Sequence, residues 1–161
     1  MRVLAFDTGY ERLGVAVLEK EKGPGRAGKE TLLHSDCVRT PPHLAFEDRL
    51  LILGEAAEAI IQKWQPDAAA LEEVYFEKNA KTAMQVAQVA GMLSYLAARA
   101  ELPLYTYTPM EVKVAVTGHG AATKRAIAAM LPRLVGIAAG KRLDDEVDAI
   151  AVGITCLASV R

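Results

Sequence analysis

Cysteine is scarce in this chain. Cys37 and Cys156 are the only two, they lack CxxC spacing, and both sit in apolar stretches, so they are expected as buried free thiols. The histidines His34, His43 and His119 are scattered, and neither HExxH nor a CxxC…HxxxH pattern occurs, which excludes the common zinc sites. No apolar run approaches the roughly 18 residues that a membrane-spanning helix needs. The N-terminus, Met1-Arg2-Val3-Leu4-Ala5-Phe6-Asp7, reaches a charge too soon for a secretion signal, so the expectation is a cytoplasmic protein. Internal repeats and linkers are missing too, and 161 residues fit one compact domain spanning 1–161. A domain of that size buries roughly 70% of the surface its unfolded chain exposes, enough for a core without disulfides or structural metal. Apolar residues at 52% and charged residues at 24% are an ordinary globular balance.

Net charge is small as well, at −1, which is not the overall footprint of a nucleic-acid binder. Its distribution is uneven. Between Val112 and Leu143 lie Lys113, Lys124, Arg125, Arg133, Lys141 and Arg142 with no acidic residue among them. Chance clustering on a solvated surface would explain this, and so would a basic face beside an acidic pocket.

Hydrophobic patterning predicts strands over 2–7, 13–19 and 31–39, with a charged, glycine-rich tip at 20–30. Pro41-Pro42 break the chain, and Leu44 to Trp64 follow helical periodicity up to Pro66. A strand over 67–74, a helix over 80–99 and a strand over 104–108 follow. Pro109 opens a short helix to about Val116. Thr123 to about Leu131 reads as helical, with Pro132 disturbing its end, and Asp145 to Ala158 as the last helix, with Asp144 as its cap. A three-strand meander followed by alternating strands and helices implies an α/β protein with a five-stranded mixed sheet flanked by helices.

The informative residues are carboxylates. Asp7 ends an apolar strand, where a turn residue and a catalytic residue are equally good readings. Glu72 and Glu73 lie in Ala68-Ala69-Ala70-Leu71-Glu72-Glu73-Val74, and strand alternation lets only one of them face a given site. A carboxylate inside such a strand is costly unless it is paired or binds metal. Asp145 and Asp148 share a helix face, although stabilisation of the helix dipole would also explain Asp145. Together they form an acidic cluster with no basic partner nearby in sequence. All-oxygen ligands favour Mg²⁺ or Mn²⁺ over zinc, and two such ions roughly 4 Å apart can activate water and stabilise the leaving oxygen of a phosphodiester.

These residues carry a resemblance. Leu71-Glu72-Glu73-Val74-Tyr75-Phe76-Glu77-Lys78-Asn79-Ala80 running on to Gln88-Val89-Ala90-Gly91 is its strongest part. Phe6-Asp7-Thr8-Gly9 with Gly14, Val112-Lys113, Thr117-Gly118-His119-Gly120 with Lys124, and Asp145-Glu146-Val147-Asp148-Ala149-Ile150-Ala151 complete it. In this order and spacing the chain resembles the RuvC family of crossover junction endodeoxyribonucleases, the Holliday-junction resolvases of the RNase H-like superfamily. The resemblance implies an RNase H-like fold and a catalytic, metal-holding tetrad of Asp7, Glu72, Asp145 and Asp148, selecting Glu72 over Glu73. It implies two Mg²⁺ ions per site, for which Mn²⁺ can substitute, and paired nicks of a four-way DNA junction that leave 5′-phosphate and 3′-hydroxyl ends. Tyr75, Phe76, Lys78, Lys113, Lys124 and Arg125 fall where DNA is contacted, and branch-migration proteins are further partners of the family.

The helix over 80–99 points independently to a homodimer. It is apolar nearly all round, and Ala83, Ala87, Ala90-Gly91, Ser94 and Ala98 make a small-residue stripe that another helix can approach. Burial under the chain's own helices is the other reading. Three alternatives to a resolvase remain: a YqgF-type RNase H-like nuclease acting on RNA, which shares the start Asp7-x-Gly9…Gly14-Val15-Ala16-Val17; an actin-like ATPase or sugar kinase, which needs a second phosphate-binding half; and a non-catalytic junction-binding dimer, against which all four carboxylates speak.

Overall fold

The computed structural model describes residues 1–21, 28–73, 80–137 and 142–160, without the side chains of Ala80 and Lys81. Its sheet holds β1 (Arg2–Asp7), β2 (Arg12–Lys20), β3 (Glu30–Arg39), β4 (Ala68–Glu72) and β5 (Leu104–Tyr107) in the order β3-β2-β1-β4-β5. The meander β1–β2–β3 is antiparallel, while β4 and β5 add to β1 in parallel. On one face lie α1 (Phe46–Trp64) and α2 (Ala80–Arg99); on the other lie α3 (Pro109–Thr117), α4 (Lys124–Val135) and α5 (Asp144–Ser159). The expected five-stranded mixed sheet is present.

Two cores sit on the two faces, and period-2 alternation sorts the strand residues between them. Leu4, Phe6, Leu13, Val15, Val17 and Leu71 turn their bulk toward Leu53 and Ala57 of α1 and toward Val89 and Leu93 of α2. Val3, Ala5, Ala16, Ala68 and Ala70 face α5. This second face is built mostly of small residues, and the helix that meets it is buried without interruption from Ala149 to Leu157. A helix apolar all round belongs inside a layer, and α5 is covered on its outer side by Val112 and Val116 of α3 and by Ile127, Leu131 and Val135 of α4.

Glycine sets the closeness of that contact. A Cβ on Gly14 would lie 2.0 Å from the carbonyl oxygen of Asp145, and one on Gly153 would lie 2.3 Å from Leu18 Cδ1. The first turn of α5 therefore rests directly on the backbone of β2.

Several expected boundaries move. Helix α4 continues through Pro132 to Val135: the lost hydrogen bond is offset by burying both Leu131 and Val135, and Gly136 ends the helix in a left-handed conformation at φ 65°. Asp144 is not the cap of α5. Leu143 takes that position without a side-chain hydrogen bond, and Asp144, Asp145 and Glu146 fill the first turn, where carboxylates complement the helix dipole. Helix α1 starts at Phe46 because the Leu44 carbonyl accepts a hydrogen bond from Arg49 Nε at 3.3 Å. Strand β4 ends at Glu72, and position 74 of the expected strand, like most of the expected tip at 20–30, lies outside the described residues. Both cysteines are buried free thiols. Among the described residues no helix is long and apolar enough to cross a membrane.

The expected stripe on α2 also changes. Val89, Leu93, Leu96 and Ala97 are buried, and Ala83, Ala87, Ala90 and Ser94 are half-buried beside them. Solvent meets Met84, Gln88, Gly91, Tyr95 and Ala98 instead, with Met84 58% and Tyr95 61% exposed.

Replacing Gly14 by Ala is expected to cost about 1–3 kcal/mol through overpacking against rigid backbone. Gly91→Ala, where a Cβ meets nothing of its own protomer within 4 Å, should leave the stability of the protomer unchanged or raise it by up to about 1 kcal/mol through helix propensity. Urea midpoints of the two variants check this, and equal midpoints would contradict the close docking of α5.

Candidate active site

Asp7 and Glu72 are the last residues of two adjacent parallel strands. Phe6 pairs with Leu71, so the next residues, Asp7 and Glu72, stand side by side at one end of the sheet. Alternation puts both on the face toward α5, continuing Val3-Ala5 and Ala68-Ala70. Glu73 comes one residue later, past the strand end, where its side chain is exposed and its backbone N–H donates to the Tyr107 carbonyl at 2.8 Å. Helix α5 arrives over the same end with Asp145 and Asp148 on one face, held there by the contact of Asp145 backbone with Gly14. Four carboxylates from three distant segments thus face one another.

Electrostatics record their closeness. The Asp7 carboxyl is pushed up to about 7, first by burial and then by the charges of Asp148, Glu72 and Asp145, with Lys124 opposing. Glu72 is raised as well, by burial and by Asp148, against the pull of Lys124 and Lys113. So much unneutralised negative charge in a partly desolvated place is expensive, and chain cations answer part of it. Lys124, the first residue of α4 after its Thr123 cap, donates to Asp148 Oδ2. That bond, with smaller help from the Asp148, Asp7 and Asp144 charges, raises the Lys124 pKa against a partial loss of solvation. Arg12, opening β2, holds Nε 3.4 Å from Asp145 Oδ2. The thiol of Cys37, opposite Gly14 on β3, lies 3.9 Å from the same oxygen.

Basic partners for the acidic cluster therefore exist. They come from distant segments, or in the case of Arg12 from the turn after Asp7, which the sequence reading did not single out. That turn is firmly held. Thr40 donates its N–H to the Glu11 carbonyl at 3.0 Å and its hydroxyl to the Tyr10 carbonyl at 2.8 Å. The buried Arg49 places its guanidinium 5.6 Å from the Tyr10 ring centroid and donates to the Pro42 carbonyl.

A cleft of about 400 Å³ opens beside the carboxylates, and Glu72, Asp148, Lys113, Thr123 and Lys124 are among the residues that line it. Thr108 and Glu111 form a capping box at the start of α3 that fixes the helix carrying Lys113. Arg125 is exposed next to Lys124 and is not among the residues lining the cleft. Tyr75, Phe76, Lys78 and Lys141 lie outside the described residues.

The donor chemistry fits a hard divalent cation: every candidate ligand is a carboxylate, and burial, together with the neighbouring negative charges, pushes the Asp7 carboxyl up to about 7. Among the described residues no three acidic, histidine or cysteine side chains already converge as a cage.

A mixed five-stranded sheet in this order, with carboxylates at the ends of two adjacent strands and on the helix crossing them, defines the RNase H-like nuclease class. Residues 3–156 match the model of the family described as crossover junction endodeoxyribonuclease RuvC. The chain belongs to the RuvC family. It is 42% identical over 154 residues to the RuvC of Rhodococcus opacus, covering 96% of this chain and 79% of that one. Against the RuvC of Syntrophomonas wolfei it is 35% identical over 161 residues, covering 100% and 91%. The structure of Thermus thermophilus RuvC superposes with a TM-score of 0.86 at 32% identity, covering 96% of this chain and 92% of that one. The same protein in complex with a Holliday junction substrate superposes at 0.87, with the same identity and coverage. The yeast mitochondrial Holliday junction resolvase, at TM-score 0.66 and 12% identity over 96% of this chain and 77% of that one, shares the fold.

The raised Asp7 pKa makes stability depend on pH. Between about pH 4 and 7 the folded protein binds a proton that the unfolded chain has released, so stability falls as pH rises through that window. Asp7→Asn removes the cost. In metal-free buffer at pH 8 the variant should be more stable than the parent by on the order of 2 kcal/mol, and the gap should close toward pH 4. Thermal unfolding across pH tests this, and a gap independent of pH would contradict the crowding of charge at Asp7.

Proposed function

We propose that this protein resolves four-way DNA junctions by symmetric nicking of two strands, using Asp7, Glu72, Asp145 and Asp148 as catalytic, metal-holding residues. The observation that supports it most is the assembly of those carboxylates at the ends of two adjacent strands in a member of the RuvC family. In the proposed mechanism the four carboxylates hold two Mg²⁺ ions, for which Mn²⁺ can substitute. When bound, the metal supplies Lewis-acid stabilisation of the phosphoryl oxygens and of the departing 3′ oxygen. The chain's own part is to hold its ligands rigidly. Asp7 and Glu72 are fixed by strand ends and Asp145 and Asp148 by a helix pinned to the sheet, so little reorganises when charge develops. Lys113 and Lys124, lining the cleft, bind backbone phosphates and set the strand there, and Arg125 extends that contact outward. Tyr75, Phe76 and Lys78 contribute DNA contacts from the segment that leaves β4 just after Glu72.

A junction has two-fold symmetry, and paired nicks need two sites. Along α2 the exposed Met84, Gln88, Gly91, Tyr95 and Ala98 recur at spacings of four and three, the seam spacing of helices that pair. A homodimer through this face would bury Met84 and Tyr95 and bring a second helix close at Gly91.

Two measurements test the reading. With a mobile four-way junction and Mg²⁺, the protein should nick two strands symmetrically and spare linear duplex. Glu72→Gln should lower the rate at least about a hundredfold, the scale for losing a charge-stabilising group, while Glu73→Gln stays near the parent. Full activity in Glu72→Gln would sink the proposed tetrad, and cleavage of RNA instead would favour the YqgF-type reading. Separately, Gly91→Glu should shift sedimentation from dimer to monomer while circular dichroism keeps the helix content of the protomer; an unchanged dimer would remove α2 as the interface.

A further inference from the structure

The cations at the site are distributed unequally. Asp148 and Asp145, the two carboxylates on α5, each have a chain cation, Lys124 and Arg12. Asp7 and Glu72, on the strands, have none in direct contact among the described ion pairs. The partners also differ in exposure. The side chains of Asp148 and Asp145 are only 19% and 15% exposed, whereas those of Lys124 and Arg12 are 70% and 55% exposed. The carboxylates are parts of a rigid helix base, and the cations reach over from the rim on long, solvated stems. Ion pairs with one partner this exposed are worth little net free energy, so they exchange readily.

Lys124 has two possible anionic partners. It donates to Asp148 here, and it also stands on the cleft wall beside Lys113, where a backbone phosphate would lie. It cannot fully satisfy both. A phosphate that takes the lysine leaves Asp148 with an uncompensated charge on the same side as Asp7 and Glu72, and a divalent cation is the species that answers such a cluster.

We infer that Lys124 is an internal counter-ion that occupies the site in place of metal until DNA draws it away, so that divalent cation and DNA bind cooperatively. The inference rests on the proposed metal-dependent nuclease reading and adds to it an order of assembly: the free protein is a poor metal binder, and substrate completes the site. Linkage makes the effect reciprocal, with metal tightening DNA binding by the same factor.

Calorimetric titration of Ca²⁺, an oxygen-preferring divalent ion, into the protein of residues 1–161 tests this without reference to turnover. A saturating immobile four-way junction should raise Ca²⁺ affinity about five- to fiftyfold, the usual range of coupling between two sites. Lys124→Gln should raise the Ca²⁺ affinity of the DNA-free protein about fivefold or more, and the junction should then add little. Lys124→Arg, which keeps the pair, should behave as the parent. Arg125→Gln, which removes the same charge one residue along the exposed side of α4, separates release of Asp148 from a general change in field. An equal gain in Arg125→Gln and Lys124→Gln would overturn the inference. So would Ca²⁺ affinity in the parent that is indifferent to the junction. Ca²⁺ binding by none of these forms, with or without DNA, would overturn the metal reading together with it.

Discussion

The first turn of a sixteen-residue helix rests on the backbone of β2 because Gly14 offers no side chain where the Asp145 carbonyl lies. The contact is continued by Ala5, Ala16, Ala68 and Ala70 under the uninterrupted buried stretch of α5, and by Gly153 where the helix passes Leu18. Small residues on one face of the sheet, with the bulky ones turned to the other, let this helix approach at backbone distance. Had the bulk been placed the other way round, α5 would stand off by a side-chain layer, and its carboxylates would miss those of β1 and β4. Close-packed interiors do not deform to recover such a displacement. The position of the site follows from this apposition, and α3 and α4, which cover the outer side of α5, carry Lys113 and Lys124 to the cleft as a consequence.

Concentrating carboxylates at that point costs folding free energy, and the pH dependence of Asp7 is where the cost is visible. Proteins retain such clusters where function requires them, since apolar residues of similar size would be more stable. The compensation is partial in a specific way. Cations on exposed stems neutralise the helix carboxylates, while the two strand carboxylates, both shifted up by burial, rely on protonation or on whatever ion arrives. A site neutralised entirely by buried, rigid cations would be more stable and would have no use for metal. One with no chain cations would carry its full repulsion in the free protein.

Much of this is legible in the sequence, for physical reasons that can be named. Strand alternation separates Glu72 from Glu73, and the same period ties Asp7 to Val3 and Ala5. What alternation alone does not supply is which face receives the last helix. The alanines in Val3-Leu4-Ala5-Phe6 and Ala68-Ala69-Ala70-Leu71 are the clue, because a small-residue face is the one a helix can approach closely. Asp144 is misread as a cap since capping propensity is a local rule, whereas the start of α5 is set by its seat on β2. Pro132 is misread as a helix end for the same reason: burial of Leu131 and Val135 outweighs a local penalty. The pairing of Arg12 with Asp145 has no local signature. It joins opposite ends of the chain through the meeting of a turn and a helix, and only the assembled sheet brings them together.

That turn shows how the strands and the cations are coordinated. Asp7 and Arg12 are the two ends of the β1–β2 connection, and each acts at the site with opposite charge. If the connection were loose, Arg12 would sample Asp7 and Asp145 alike, and the charge pattern of the site would blur. Thr40 and Arg49 prevent this by holding the Tyr10 and Glu11 backbone and stacking the Tyr10 ring against α1. Arg49 is itself buried and spends its donors on the Pro42 and Leu44 carbonyls, so its charge serves the scaffold rather than the carboxylates. The rigid element thus keeps its arginine away from the site, and Lys124, exposed on the cleft, is left as the cation placed to exchange its partner for a phosphate.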